Sequence, residues 1–469
     1  MNVFTKNNSW GILYKQMLPN NLRYQSKTES AAARRYLSQI QPQGSTSFSQ
    51  GETITINLPT RSNTCLIPSE SYLKGQLNLV VGTATAATTL ESCGFHAFIQ
   101  RIRVFHGSNL LEDIDNYHQL AKVLHDFQAP EDTVKGRLSI TAGTNPDFSV
   151  LQAAAAGDVL NAASVNRGRA LGALTPAGTF SYPFALNLIS IVGSLSGEKY
   201  LPFFEFSAAP LRVEIVLQTS AARALMNRTG SISSYTMTGV NYCAEYLEIP
   251  DSAVSAVKAA SSSPMQMVIP SYRSYTNSAT IPAATQTEVS FPIPAKFSSL
   301  KNIFVVTRSN AATAVDSQFP MSHCAFGNGT SNVTRGPQFR IGSEVLPSTA
   351  PLSHAEMYSE ALKCFGSIAD LQNQPSINLA AYTLDAPVAV TNINTASTTE
   401  SGDFVIGIDT EVYQSTSGQN IFNGTNSNTS DIFAIINYYS TGGITALQTA
   451  FACYDQVLVM ENGVCYARY

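Results

Sequence analysis

The chain has 469 residues, of which 44% are hydrophobic and only 13% are charged, with a net charge of −4. That length predicts two to four domains, and the apolar content excludes global disorder. The slight negative charge excludes wholesale nucleic-acid binding by the body of the protein. An ordinary soluble domain is roughly 25% charged. The shortfall fits a surface taken up by other subunits, or a secreted β-rich protein with a neutral surface.

Residues 1–44 are polar and irregular and read as an N-terminal arm. Residues 1–36 hold Lys6, Lys15, Arg23, Lys27, Arg34 and Arg35 against Glu29 alone. This is a solvated tail, or an arm that touches a neighbour, a membrane or a genome; it is too weakly basic to be called a nucleic-acid arm. A short helix is expected around Glu29–Leu37. The start lacks a basic region followed by an apolar core, so no signal peptide is expected. No apolar run approaches the roughly 18 residues of a membrane span. The seven cysteines are scattered, with no Cys-x-x-Cys, and read as buried free thiols of a reducing compartment. The sequons at Asn227, Asn328, Asn332 and Asn423 then read as unused polar loops.

From residue 45 the pattern is β. Apolar residues alternate at Ile54, Ile56 and Leu58, at Leu73, Leu77, Leu79 and Val81, and at Ile102 and Val104. Such alternation marks strands with one buried and one wet face. His106, Gly107, Ser108 and Asn109 form a turn, so a hairpin follows into "LLEDI". The period then becomes helical at Tyr117, Leu120, Leu124 and Phe127, with Asp113 or Asp115 as candidate N-cap and an end before Pro130. Residues 128–182 form a long Ala/Gly/Ser-rich connection, of the kind that is functional or interface-forming. "FALNLISIVG", "LPFFEF", "LRVEIVLQ" and "YTMTGVNYCAEYLEI" read as strands. Asp251 caps a short helix, and residues 261–264 read as a linker.

The second half runs the same programme. "QMVIPSYRSYTNSATIP" and "TEVSFPIPAKFSSLKNIFVVTR" read as strands. "PQFRIGSEVL" is strand, turn and strand, and "HAEMYSEALKCF" is a helix with Tyr358, Ala361 and Phe365 on one stripe. Residues 366 to about 430 are loop-rich, and "DIFAIINYYS" and "TAFACYDQVLVMENGVCYARY" are the last strands. "RVFHGSNLLEDIDNYHQLAKVLHDF" and "FRIGSEVLPSTAPLSHAEMYSEALKCF" share an apolar strand, Gly-Ser, a short return strand and a helix ending in Phe. "GVNYCAEYLEI" is loosely echoed in "TAFACYDQVLVM". A repeat of this size, almost all strand, predicts two similar β-sandwiches in tandem, over residues 45–260 and 261–469.

The stretch from Arg103 to Phe127 carries His106, His118 and His125 with Glu112, Asp113, Asp115 and Asp126, which raises the question of an active site. His118 and His125 are two helical turns apart, about 10.5 Å along the axis, so one metal cannot bridge them. No His-Glu-x-x-His pair occurs. The acids suit a hairpin leading into a helix start, where the dipole favours negative charge, or a subunit contact. The second copy keeps Gly342, Ser343 and Phe365 but lacks the acidic run and has only His354. No nucleophile elbow, phosphate loop or dinucleotide fingerprint is present. Glu205 and Glu214 read as strand residues, Glu214 on the face away from the core. No catalytic, cofactor-binding or metal-ligating residue is assigned, and no enzyme activity is expected.

The order of these features resembles the double jelly-roll major capsid proteins of tailless icosahedral DNA viruses. That family takes in the adenovirus hexon and capsid proteins of virophages, polinton-like viruses, large algal viruses and membrane-containing phages. The resemblance covers residues 45–469 and is carried by "SYLKGQLNLVV", "FIQRIRVFHGSNLLEDI", the helix, the long loops, "LRVEIVLQ", the linker helix and the second copy from Met265. It implies an all-β fold with a few short helices, in two tandem antiparallel eight-stranded jelly-roll sandwiches. It further implies a structural protein of the virion, a homotrimer with pseudo-hexameric outline that tiles the shell. Its partners would be itself, penton and minor or cement proteins, and a membrane or genome through the arm. The loops at 128–182 and 366–430 would form the outer tower and clamps, and Arg34 and Arg35 would face inward or reach a neighbour. Rival expectations are a receptor-binding spike or fibre, a single jelly roll with a projecting domain, and a β-sandwich carbohydrate-active enzyme.

Overall fold

Alternating apolar residues become strands whose inner faces close over a shared core. The computed structural model describes residues 33–82, 85–144, 170–174, 178–226, 232–261, 264–309, 336–351, 353–366, 403–412, 423–438 and 443–469, with residues 368, 375, 377 and 382. The first half holds β1 (Arg34–Ile40), β2 (Phe48–Ser49), β3 (Thr53–Leu58), β4 (Thr64–Leu66), β5 (Tyr72–Val81), β6 (Thr85–Leu90), β7 (Ile99–His106), β8 (Asn109–Asp115), β9 (Ala170–Leu174), β10 (Gly178–Leu186), β11 (Leu211–Leu217), β12 (Leu225–Met226) and β13 (Ile232–Glu248). The second holds β14 (Met265–Ile281), β15 (Thr287–Ile293), β16 (Leu300–Ser309), β17 (Gln338–Ile341), β18 (Glu344–Leu346), β19 (Val405–Asp409), β20 (Ile432–Tyr438), β21 (Ile444–Glu461) and β22 (Val464–Arg468). The described helices are α1 (Tyr117–Phe127), α2 (Glu131–Lys135), α3 (Arg137–Thr141), α4 (Asp251–Ala260) and α5 (His354–Lys363). None is long and apolar enough to cross a membrane.

In the first half one sheet runs β1-β13-β5-β10 and the other β3-β11-β7-β8. In the second half they run β14-β21-β16-β19 and β15-β20-β17-β18. Taking the eight main strands of each half in chain order, both halves read 1-8-3-6 and 2-7-4-5. Pairing within these sheets is antiparallel throughout. This is the jelly-roll order, twice in one chain. A small sheet β12-β6-β9 joins three connections of the first sandwich, so those connections gather at one end.

The expected alternation appears directly as burial. Ile54, Ile56, Leu58, Leu77, Leu79, Ile102, Val104, Val213 and Ile215 are buried in one continuous core. The repeated Gly-Ser has a backbone cause. Gly107 (φ 59°) and Gly342 (φ 61°) take the left-handed conformation at the two matching hairpin turns, β7–β8 and β17–β18. The helix after each hairpin starts differently. Ser353 and Glu356 form a reciprocal capping box on α5. α1 instead follows left-handed Asn116 without a side-chain cap, and Asp113 is held by Arg101 at 2.6 Å. Neither Asp113 nor Asp115 is the cap.

Several expectations are corrected. Arg34, Arg35, Tyr36 and Leu37 lie in β1, which pairs with β13, rather than in a helix or a free arm; residues 29–32 of the expected helix lie outside the described residues. Arg35 is engaged by Glu70 and Glu245. The first sandwich therefore begins before residue 45. "LPFFEF" is a 3-10 turn around Phe203–Glu205, and Glu205 meets Lys258 of α4. β10 stops at Leu186, so "NLISIVG" is not strand. Asp251 sits in the first turn of α4, and Pro250 is the N-cap. β19 runs through the stretch expected to be loop. Glu214 does face away from the core, paired with Arg103 and Arg212. Of the sequons, Asn227, Asn328 and Asn332 lie outside the described residues, and Asn423 is buried. Six cysteines are free and buried, and Cys324 is outside the described residues.

The two faces of β11 differ in their expected sensitivity. Ile215→Ala opens a cavity at a fully buried site and is expected to cost about 2–5 kcal/mol in urea unfolding. Glu214→Ala removes two outer-face ion pairs, with Arg103 and Arg212, and is expected to cost about 1 kcal/mol or less.

Candidate functional site at the joint between the sandwiches

The hairpin β7–β8 leaves β8 as the outer strand of its sheet. An exposed strand edge offers unpaired backbone groups to any other chain. Here β14 and β22 of the second sandwich pack against β8. Gln456 Nε2 donates to the Leu111 carbonyl at 2.5 Å, and Asn109 Nδ2 to the Cys465 carbonyl at 3.1 Å. The Cys465 backbone N–H donates to His106 Nδ1 at 3.1 Å. That bond requires an unprotonated Nδ1, and burial also keeps His106 below its ordinary pKa. Ala208 N–H to the Gly463 carbonyl (3.0 Å) and Lys199 Nζ to the Val268 carbonyl (2.5 Å) extend the seam.

Glu112 sits at its centre, 2% exposed. It accepts from Ser190 Oγ, from the Ile191 N–H at 3.1 Å, and from Ser271 of β14 at 3.5 Å. Burial is the main influence and pushes its pKa up to about 7, against the lowering effect of those donors.

α1 lies in the same joint, and all eleven of its residues are buried. Tyr117 contacts His96 Nδ1 (2.9 Å) through its hydroxyl, which also accepts from the Ile189 N–H (3.0 Å). His125 Nδ1 donates to the Ala121 carbonyl at 2.6 Å. His96, His118 and His125 are all held below the ordinary histidine pKa by burial. Lys122 contacts Ser92 Oγ (3.2 Å), Asp126 (3.0 Å) and Asp403, which precedes β19. At the end of α1, Phe127 packs on Phe365, just beyond α5, and on Tyr358 of α5, with ring centroids 5.1 and 6.0 Å apart. The two repeated helix-ending Phe residues thus touch each other.

The histidines of the Arg103–Phe127 stretch, with Glu112 and Asp126, are therefore buried at or beside an internal seam. The expectation that its charges sit at a helix start or subunit contact is corrected for Glu112, Lys122 and Asp126, which are buried within the chain. Asp113 and Asp115 line the outer face of the hairpin, opposite Arg103 and Arg101 in register. Among the described residues no group of three or more His, Cys, Asp or Glu could hold a metal ion. His96, Ser190, Ser271 and Asp403 were not singled out from sequence; Asp403 is 281 residues from Lys122, and nothing local marks it. Beside α1 an open cleft of about 1070 Å³ is lined by His96, His125, Arg137, Glu70 and Glu198 among others; Glu70 is held there by Arg35.

Two sandwiches of one strand order, joined edge to edge, make this chain a double jelly-roll protein. Solved structures share the fold. VP54 of the virus PBCV-1, in a crystal structure fitted into a reconstruction of the virophage Sputnik, matches with a TM-score of 0.58 at 11% identity, over 95% of this chain and 98% of that one. The Faustovirus major capsid protein matches with 0.57 at 9% identity, over 96% and 94%. The mavirus major capsid protein matches with 0.54 at 11% identity, over 96% and 94%. No protein-family profile and no curated protein matches the sequence.

The joint sets a pH dependence with two limbs. Unfolded Glu112 titrates near 4.5 and folded Glu112 near 7, so its burial destabilises the fold increasingly from pH 4.5 to 7 and fully above that. Glu112→Gln is expected to stabilise the protein by up to about 3 kcal/mol at pH 8.5 and to lose that advantage by pH 5. The neutral histidines act oppositely. The unfolded chain takes up protons near pH 6.5 where the folded one resists, so stability falls as pH drops below that value. Thermal melting from pH 5 to 9 checks both limbs.

Proposed function

We propose that this chain is the major capsid protein of a tailless icosahedral virus, a structural protein and not an enzyme. The observation that carries the reading is the same eight-strand order occurring twice in one chain, shared in fold with the capsid proteins above. Two like sandwiches per chain give a trimer six like positions, so three chains make a tile of hexagonal outline that closes by symmetry. The low charge of the chain suits such neighbours. So do Ile140, Val412 and Tyr200, which are 78%, 65% and 48% exposed.

In this reading the chain divides into a short N-terminal segment and two jelly rolls meeting near residue 261. The end of the first sandwich where β6, β9 and β12 gather bears the outer tower. The partners are further copies of the chain, penton and minor or cement proteins, and a membrane or genome met by the residues before β1. The chain is made and assembled inside the host cell and resides in the virion.

A single jelly roll with an unrelated projecting domain does not fit, because the second half repeats the strand order of the first. A spike or fibre would be trimeric but would not tile. Native mass spectrometry with negative-stain imaging tests the proposal. Trimers of hexagonal outline that pack into sheets are expected. A monomer, or an elongated trimer that never tiles, would contradict it.

A further inference from the structure

The contact between Lys122 of α1 and Asp403 before β19 joins the two sandwiches through groups that can condense. Lys122 is 3% exposed, Asp126 3% and Asp403 4%. The Lys122 ammonium meets Ser92, Asp126 and Asp403 together, so three partners hold it in place. Glu91, fully buried, adds its field to the same site. Aromatic residues flank it in the chain: Phe127 follows Asp126, Phe404 follows Asp403, and Tyr382 packs against both rings. We propose that Lys122 and Asp403 form an autocatalytic isopeptide bond, covalently stapling the first jelly roll to the second.

The chemistry balances without any external reactant. The Lys122 ammonium passes a proton to the Asp126 carboxylate, and the freed amine attacks Cγ of Asp403. The C–N bond forms, and the amine's second surplus proton moves to the Asp403 oxygen that leaves. Asp126 returns its proton to that same oxygen, the C–O bond breaks, and water departs. An ammonium and a carboxylate become one neutral amide and one water.

Two physical features favour the step. Holding amine and carboxyl in contact supplies the effective concentration that a bimolecular condensation lacks. A dry site disfavours the separated charges, and the amide removes a buried ion pair whose desolvation is costly. Burial is the largest single influence on Lys122 and lowers its pKa, but Asp126, Asp403 and Glu91 together outweigh it and hold the pKa above the ordinary lysine value, so the resting pair is ammonium and carboxylate and the step starts with a proton transfer. Asp126, 3.0 Å from the Lys122 ammonium, is placed to act as proton shuttle as well as anchor.

The test is the intact mass of the folded, purified full chain, measured after denaturation. The wild type is expected to be lighter than its sequence mass by one water, and a tryptic digest to yield a branched peptide joining Lys122 to Asp403. Asp403→Asn would form the same amide by losing ammonia, and so is expected to match the wild-type mass. Lys122→Met and Asp403→Ala should each return to their full sequence masses. A wild-type chain at full sequence mass overturns the proposal. So does a water loss that persists in Lys122→Met or that maps to another peptide. Either outcome leaves the capsid reading to be judged on its own test.

Discussion

A strand at the edge of a sheet must be paired, covered or made repellent, and in this chain that requirement falls on β8. Its cover is the second sandwich, through β14 and β22. Covering the edge drags the polar groups of the hairpin and helix out of water. Each must then find a partner inside, because an unpaired buried polar group is costly. Glu112 finds Ser190, Ser271 and the Ile191 N–H; His106 finds the Cys465 N–H; Lys122 finds two aspartates. The cluster that looks catalytic in the sequence is the consequence of that cover.

The same constraint explains why the two halves are alike in strand order yet unlike in charge. The α1 helix of the first half is buried on every side because it lies in the joint. Its counterpart α5 keeps Glu356, Ser359, Glu360 and Lys363 toward solvent or half-exposed. In the second copy β18 is exposed or half-exposed over Glu344–Leu346, so the same burial is not imposed on it among the described residues. Only the apolar end of the helix is needed twice, and there Phe127 and Phe365 meet.

Much of the fold was legible in the sequence because its determinants are local. Period-two alternation located β3, β5, β7 and β11, and the paired Gly-Ser turns located both hairpins. The reading failed where local pattern and environment part. β1 carries two arginines and alternates weakly, so it resembles a tail until β13 pairs with it. β19 is a short continuous apolar run inside polar sequence, with no alternation to mark it. "LPFFEF" is rich in strand-forming aromatics, but Pro202 and a tight turn place Phe203 and Phe204 in the core without any ladder. The joint was the least legible part. The histidines and acids of the hairpin are visible in one stretch, but Ser190, Ser271 and Asp403 come from elements whose meeting depends on the full topology.

The central claim is that the joint makes two jelly rolls a single body. Native-state hydrogen exchange across a denaturant series measures this directly, by comparing amides of β8 in the first sandwich with those of β14 and β22 in the second. The account predicts that all three exchange through one global opening with the same free energy and denaturant dependence. Amides of β14 and β22 that exchange through a smaller opening, while β8 and the rest of the first sandwich stay protected, would contradict it.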